Sequence, residues 1–161
     1  MADSLILRAA NKQDTALILQ FIEELADYEK MRHEVVATQD QLQENLFGDQ
    51  PQAEVIIAEW GGAPVGFALF FHNFSTFAGR RGLYLEDLYV RSEFRGKGIG
   101  KTLLIHLAVL AKQRDCARFE WAVLDWNQPA RDFYENLGAQ CVEDWRIYRA
   151  AGERLDQLSK K

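Results

Sequence analysis

Residues 89–104, YVRSEFRGKGIGKTLL, decide how this chain is read. An apolar strand ending at Val90 passes through a short charged loop into glycines at 96, 98 and 100, and an amphipathic run bearing Leu103, Leu104, Leu107 and Leu110 follows. Glycines at alternate positions let backbone N–H groups converge without Cβ interference, and a helix starting at the same place adds its positive dipole end. That combination suits a phosphate or pyrophosphate. A P-loop would need G-x-x-x-x-G-K-[ST], and the run from Gly96 to Gly100-Lys101-Thr102 is one residue short. A dinucleotide fingerprint fails as well, because the spacing is wrong and the first strand carries nothing like it. A helix start with flexible glycines and no ligand remains as the bland alternative.

Working outward, Ser4 to Ala9 reads as a strand, and Asp14 to Tyr28 carries Leu17, Ile18, Phe21, Ile22 and Leu25 at the spacing of one helical face. Thr38-x-x-Gln41 resembles a capping box opening a second helix to about Phe47. Ala53 to Trp60 and Val65 to Phe74 flank Gly61-Gly62 and predict an antiparallel hairpin. Leu83 to Val90 is the strand feeding the glycines, and the helix after them should run about 15 residues. Phe119 to Leu124 reads as a strand. Asn127 is placed to cap a helix with an early Pro129 and a terminal Gly138. Gln140 to Glu143 and Trp145 to Arg149 are expected to be closing strands, with a polar helix or tail after Gly152. The fold class expected is α/β of the α+β kind: one domain over residues 1–161, with a mixed, mostly antiparallel central sheet flanked by helices.

The chain has 161 residues, 48% of them hydrophobic, with 24 acids against 19 bases for a net charge of −5. One core is the expectation at this size. The acidic balance argues against nucleic acid and anionic membranes as partners and mildly favours cationic small molecules. Cys116 and Cys141 lack C-x-x-C spacing and are expected to be buried thiols, and the three histidines are scattered, so no metal is expected. The N-terminal stretch lacks the pattern of a signal peptide, and no apolar run approaches the roughly 20 residues of a membrane span, which points to a cytoplasmic setting.

Arg95-x-x-Gly98-x-Gly100 resembles the acyl-CoA pyrophosphate loop of the GNAT family of N-acetyltransferases. A second block, Asn127-x-x-Ala130-x-x-x-Tyr134-x-x-x-Gly138, is similar to that family's other motif, in the right order along the chain. The segments LADYEK, LYLEDLYV, FRGKGIGK and LDWNQPARDFYENLGAQ look more narrowly like the spermidine/spermine N-acetyltransferase branch, closest to its thialysine N-acetyltransferase-like members. The resemblance implies a GNAT fold and a direct transfer of acetyl from acetyl-CoA, as co-substrate, to the primary amine of a small molecule. That molecule would be thialysine, a lysine analogue, or a di- or polyamine. It implies Leu88, Tyr89, Val90, Arg95, Gly96, Lys97, Gly98, Ile99, Gly100, Lys101, Asn127, Ala130 and Tyr134 as cofactor contacts, and a homodimer. The alternatives are a catalytically silent acyl-CoA-binding sensor and a protein or peptide N-acetyltransferase.

The chemistry needs a proton acceptor, because an aliphatic ammonium near 10.4 is almost wholly charged at neutral pH. Glu86, in an otherwise apolar strand, is expected on one pleat face with Tyr84, Leu88 and Val90, with Asp87 on the opposite face. The resemblance implies that Glu86 takes the proton, through water, and that Tyr134 protonates the leaving thiolate. It also implies that Tyr28, Glu29, Glu86, Asp87, Glu120 and Trp121 contact the amine. An N–H near Leu88 is placed to stabilise the oxyanion if the strand is splayed from its neighbour. Lys30, Arg32 and His33 would repel a long polycation, which favours an amino-acid-like amine.

Overall fold

The computed structural model describes residues 4–161, so the first three residues of the expected 1–161 domain lie outside it. Two compact units divide the chain, Met1–Ala122 and Val123–Lys161.

The first unit is built on a five-stranded sheet in the order β1 (Leu5–Ala9), β2 (Glu54–Trp60), β3 (Ala63–Ser75), β4 (Arg80–Val90), β5 (Phe119–Trp121). All neighbours are antiparallel except β4 and β5, which run parallel. Helices α1 (Thr15–Tyr28) and α2 (Gln39–Phe47) separate β1 from β2, and α3 (Ile99–Gln113) separates β4 from β5. The Gly61-Gly62 turn, with both residues at positive φ, closes the expected hairpin between β2 and β3. The Thr38 capping box is formed: its hydroxyl accepts from the Gln41 N–H at 3.2 Å and its own N–H donates to Gln41 Oε1 at 3.0 Å.

Alternation decides what each sheet face buries. Val55 and Ile57 of β2 and Phe67 of β3 form one core with Ile18 and Phe21 of α1 and Leu46 of α2; the Phe21 and Phe67 rings stack at 5.4 Å. Each aromatic so buried contributes about 2–3 kcal/mol. The opposite face carries Ile56, Ala58, Ala68, Phe70, Leu83 and Leu85, all buried, and α3 runs along β2, β3 and β4 with Leu103, Leu104 and Leu107 turned inward.

The end of α1 is closed by an unusual residue. Met31 N–H donates to the Ala26 carbonyl at 2.8 Å and Lys30 N–H to Asp27 at 3.1 Å, a Schellman closure that places Lys30 at φ +61, where glycine is the usual occupant. Lys30→Gly should therefore raise stability by a few tenths to about 1 kcal/mol, the left-handed strain outweighing the extra freedom of the unfolded chain. Urea unfolding would read this directly. A loss of stability would mean that the lysine side chain holds the helix end.

In the second unit α4 (Gln128–Asn136) and α5 (Glu153–Leu158) are the helices. Asn127 caps α4, its Oδ1 accepting the Ala130 N–H at 3.3 Å, and Pro129 stands in the first turn as expected. Gly138 at φ +91 ends it, the Ala139 N–H reaching the Tyr134 carbonyl at 3.1 Å.

Three expectations are corrected. Residues 140–149 form no strand: their alternating apolar pattern finds no ladder partner among the described residues, and Val142, Trp145, Ile147 and Tyr148 are exposed. The strand expected to Leu124 stops at Trp121, because β4 pairs with it only from Leu83 to Leu85. Cys116 is half-buried and Cys141 exposed, so neither is a buried thiol; Cys141 lies in the segment that gained no sheet partner.

Candidate active site

The strand β4 is the backbone of the site, and its register overturns the expected faces. Leu69 of β3 stands opposite Asp87 and Phe70 opposite Leu85, so Glu86 is an extra, bulged residue. Tyr84 pairs with Phe71 and Asp87 with Leu69, on the face turned to α1; Leu88 pairs with Ala68 on the other face. A single inserted residue reverses the alternation. Glu86 therefore does not share one pleat face with both Tyr84 and Leu88.

Past the bulge, the edge of β4 away from β3 opens. Arg91 N–H donates to the Val65 carbonyl at 2.9 Å, so by alternation the N–H groups of Leu88 and Val90 point to the other edge. There β5 runs alongside only Leu83–Leu85. Among the described residues, therefore, no strand pairs with β4 along this edge at Leu88.

The strand then delivers the loop to the glycines. The Arg91 guanidinium holds Glu24 of α1 at 2.9 and 3.0 Å, bonds the Pro64 carbonyl at 3.1 Å and lies 4.9 Å from the Phe21 ring. Burial works to raise the Glu24 carboxyl, but the Arg91 hydrogen bonds and charge, with a bond from Tyr89, hold it below the usual range. This clamp locks the start of the loop to the core. Gly96 and Gly98 take φ +76 and +79, and a Cβ added at either meets nothing within 4 Å. Gly98 begins α3 without a side-chain cap, Ile99 is buried and anchors the first turn, and Gly100 faces Val90. Uncapped N–H groups over open space fit a diphosphate, with Lys97 and Lys101 exposed beside them.

The Arg95 side chain turns back from the glycines: its Nε donates to the Val90 carbonyl at 2.9 Å, and its guanidinium lies 4.7 Å from the Tyr28 ring and 5.8 Å from the Tyr89 ring. Lys97 Nζ sits 5.0 Å from the Trp60 ring. Both cations stack on aromatic faces.

Glu29, at the closed end of α1, is near enough to β4 for its charge to act on Asp87, and Tyr28 beside it faces Arg95. Burial raises the Glu29 carboxyl. The Asp87 carboxyl is pushed up to about 7, by burial first and then by the charges of Glu86 and Glu29. Glu86 is exposed. The expected amine contacts on β5 separate: Glu120 pairs with Tyr84 on the Asp87 face, where Arg118 holds it at 2.6 Å and Asn73 at 3.2 Å, while Trp121 pairs with Leu85 on the α3 face. The expected repulsive cations are also engaged. Arg32 bonds Glu23 at 2.9 Å and approaches Asp27 at 3.8 Å, and His33 lies 3.4 Å from Glu34.

Sequence reasoning missed two positioning elements. One is the Glu24–Arg91 clamp, which joins residues 67 apart in the chain. The other is Gly66, where an added Cβ would stand 2.5 Å from the Tyr89 carbonyl oxygen. A glycine inside the apolar run PVGF was its available signal. Among the described residues no helix is long and apolar enough to cross a membrane, and no three His, Cys, Asp or Glu side chains group to hold a metal.

Residues 18–139 match the Acetyltransferase (GNAT) family. A thialysine N-epsilon-acetyltransferase from Sus scrofa is 38% identical over 98% of this chain and 99% of its own length. An L-ornithine N5-acetyltransferase from Arabidopsis thaliana is 30% identical, covering 96% of this chain and 87% of its own. Among solved structures, an integron cassette protein from the mobile metagenome of V. cholerae superimposes with a TM-score of 0.83 at 28% identity, over 99% of this chain and all of that one.

Proposed function

The chain belongs to the GNAT acetyltransferase family, and from that premise we propose that it moves the acetyl group of acetyl-CoA to the primary amine of a small molecule. The observation that carries this reading is the joining, on one strand, of an open β4 edge, the glycine loop at its end, and the acids Glu29, Glu86 and Asp87 beside it. Acetyl-CoA, when bound, supplies the acetyl group as a thioester, so that the C–N bond forms as the C–S bond breaks and the sulfur departs as thiol. The N–H groups from Gly96 to Lys101 hold the diphosphate, and the edge of β4 from Leu88 to Val90 orients the rest of that molecule. The Leu88 N–H, on the edge away from β3, would stabilise the negative charge that develops on the thioester oxygen. The acidic group receives the ammonium, with Tyr28 as its aromatic wall, and Glu86 takes the ammonium proton through water. The family resemblance assigns Asn127, Ala130 and Tyr134 to cofactor binding as well, and the Tyr134 hydroxyl would return a proton to sulfur. In this reading residues 1–161 work as one domain; the family match runs from 18 to 139 through both compact units. A homodimer in the cytoplasm, without nucleic acid or membrane as partner, belongs to the same reading and rests on the resemblance and the net charge.

The acceptor favoured is an amino acid with a side-chain amine. The names of the relatives at 38% and 30% identity, thialysine and L-ornithine acetyltransferases, support this. The repulsion argument weakens, since Arg32 is neutralised by Glu23 and Asp27. Free-thiol release from acetyl-CoA across thialysine, L-ornithine, lysine, spermidine, spermine and a lysine peptide tests the whole reading. Turnover should favour the first two over spermine by about tenfold or more in kcat/KM. Acetyl-CoA binding with no turnover of any amine would leave a silent sensor, and turnover of the peptide alone would make the chain a protein acetyltransferase.

A further inference from the structure

We infer that Arg118, with Glu120, reads the α-amino-carboxylate end of the acceptor: the Arg118 guanidinium takes the carboxylate and Glu120 the α-ammonium, while the side-chain amine lies at Asp87 and Glu29. The inference rests on the amino-acid acceptor proposed above and deepens it by naming what tells that acceptor from a polyamine or a peptide lysine. An α-amino acid with a side-chain amine carries three charges, and the acids near the end of α1 meet one of them. The other two need a cation and an anion held together about one side chain's length away.

The sheet supplies that pair on the right face. Gly82, Tyr84 and Asp87 of β4 stand opposite Asn73, Phe71 and Leu69 of β3, and Glu120 of β5 stands beside Tyr84. Arg118, two residues before Glu120, pairs with its Oε1 through Nε at 2.6 Å, and Asn73 Nδ2 donates to the same oxygen at 3.2 Å. Gly82 makes room for this arrangement: a Cβ there would collide with Asn73 Oδ1 and stand 3.2 Å from Arg118 Cγ. Both partners keep capacity. Glu120 has Oε2 left for an ammonium, and among the described residues the terminal nitrogens of Arg118 meet no carboxylate, so the forked edge of its guanidinium is left for a carboxylate. Arg91 and Arg114, by contrast, spend terminal nitrogens on Glu24 and Glu54.

Between the two ends lies an apolar floor. The Phe71 and Tyr84 rings stand 5.2 Å apart, both half-buried, and suit methylene groups or a thioether. From Tyr84 to Asp87 the ladder advances two positions, about 6.6 Å, because Glu86 is bulged; Glu120 lies one strand spacing of about 4.8 Å to the side, so the Asp87 and Glu120 backbones are about 8 Å apart. An extended chain of four atoms between α-carbon and amine nitrogen reaches about 6 Å, and the lean of the side chains takes up the rest. An amine seated at Asp87 is then beside Glu86, the proposed proton acceptor, whose charge acts on Asp87. Spermine offers only cations to Arg118, and a lysine within a peptide has neither free α-charge, so both are disfavoured there.

The test measures thiol release from acetyl-CoA by the full chain with L-thialysine, its methyl ester and its Nα-acetyl derivative, in the parent and in Arg118→Gln, Arg118→Lys and Glu120→Gln. The parent should acetylate thialysine with a kcat/KM about 10–100-fold above that for the ester, which has lost the anionic charge. Arg118→Gln should raise the KM for thialysine by about 10–100-fold, with kcat changed less, so that thialysine and its ester become equivalent within a fewfold. Arg118→Lys, which keeps the charge without the fork, should recover part of that loss. Glu120→Gln should instead erase the preference over the Nα-acetyl derivative. Calorimetry should give acetyl-CoA affinities within a fewfold of the parent for all three variants, which shows that they are folded. A parent that does not distinguish thialysine from its ester, a thialysine KM unchanged in Arg118→Gln, or a loss falling equally on thialysine and ester would overturn the inference alone. A parent that releases thiol only with polyamines or a peptide would overturn the amino-acid acceptor beneath it, and one that releases none with any amine would overturn the acyl transfer itself.

Discussion

Gly66→Ala is expected to destabilise the protein by about 2–4 kcal/mol and to weaken acetyl-CoA binding at least tenfold. The alanine methyl would stand 2.5 Å from the Tyr89 carbonyl oxygen and 3.2 Å from Val90 Cα, both backbone atoms that no rotamer change moves aside. Relief comes only by separating β3 from β4 at the pair Gly66 and Val90. That pair lies where the strand turns into the loop, next to the Arg91 bond to Val65 and the Arg95 bond to Val90. The strain is therefore delivered to the edge proposed to orient the thioester and to the start of the glycine loop. Urea unfolding with calorimetry of acetyl-CoA binding would measure both effects. Stability within about 0.5 kcal/mol of the parent, with unchanged affinity, would show that the two strands have slack there.

Asp87→Asn should do the opposite to stability. A carboxyl near 7 in the folded chain and about 3.9 in the unfolded one means that the folded state binds more protons between those values, so stability falls as pH rises across that window. The variant, with no proton to lose there, escapes that decline. Parent and variant should be alike near pH 4, and the variant should lead by about 2–4 kcal/mol above pH 7.5, the lower figure allowing for solvent screening of a half-buried group. The variant should also bind the amine less well, read as a raised KM, because Asp87 belongs to the acidic group proposed to receive the ammonium. Unfolding curves from pH 4 to 8.5 decide it; a gap that stays level, or closes with rising pH, would mean that Asp87 is ionised at little expense in the fold. A residue whose removal stabilises the chain while weakening the proposed amine site is kept for function and not for the fold.

The strongest periodic segments were legible because their signals are local. The helical spacing of α1, the Thr38 capping box, the Gly61-Gly62 turn and the glycine-started α3 each depend on residues within a few positions, and each formed where it was expected. The candidate site residues on β4 and in the glycine loop could be proposed from spacing too, since a strand running into glycines needs no distant partner to be recognised. The faces of β4 were not. A bulge leaves no mark in composition: LYLEDLYV reads as regular alternation until β3 supplies the register that makes Glu86 the odd residue. Residues 140–149 fail for the same reason in reverse, an alternating pattern that only a partner strand could convert into a strand.

By itself the amino-acid order determined the succession of elements, the two spaced motifs and the acids at 29, 86 and 87, because short-range backbone preferences and periodic burial are written along the chain. The tertiary structure alone decided which acid is most desolvated, where β5 stops pairing with β4, and which arginines are already committed. Those depend on what lies across the sheet or at the far end of a helix. Proximity between residues 67 apart has no local signature, and desolvation is a property of the packed surroundings rather than of any one side chain.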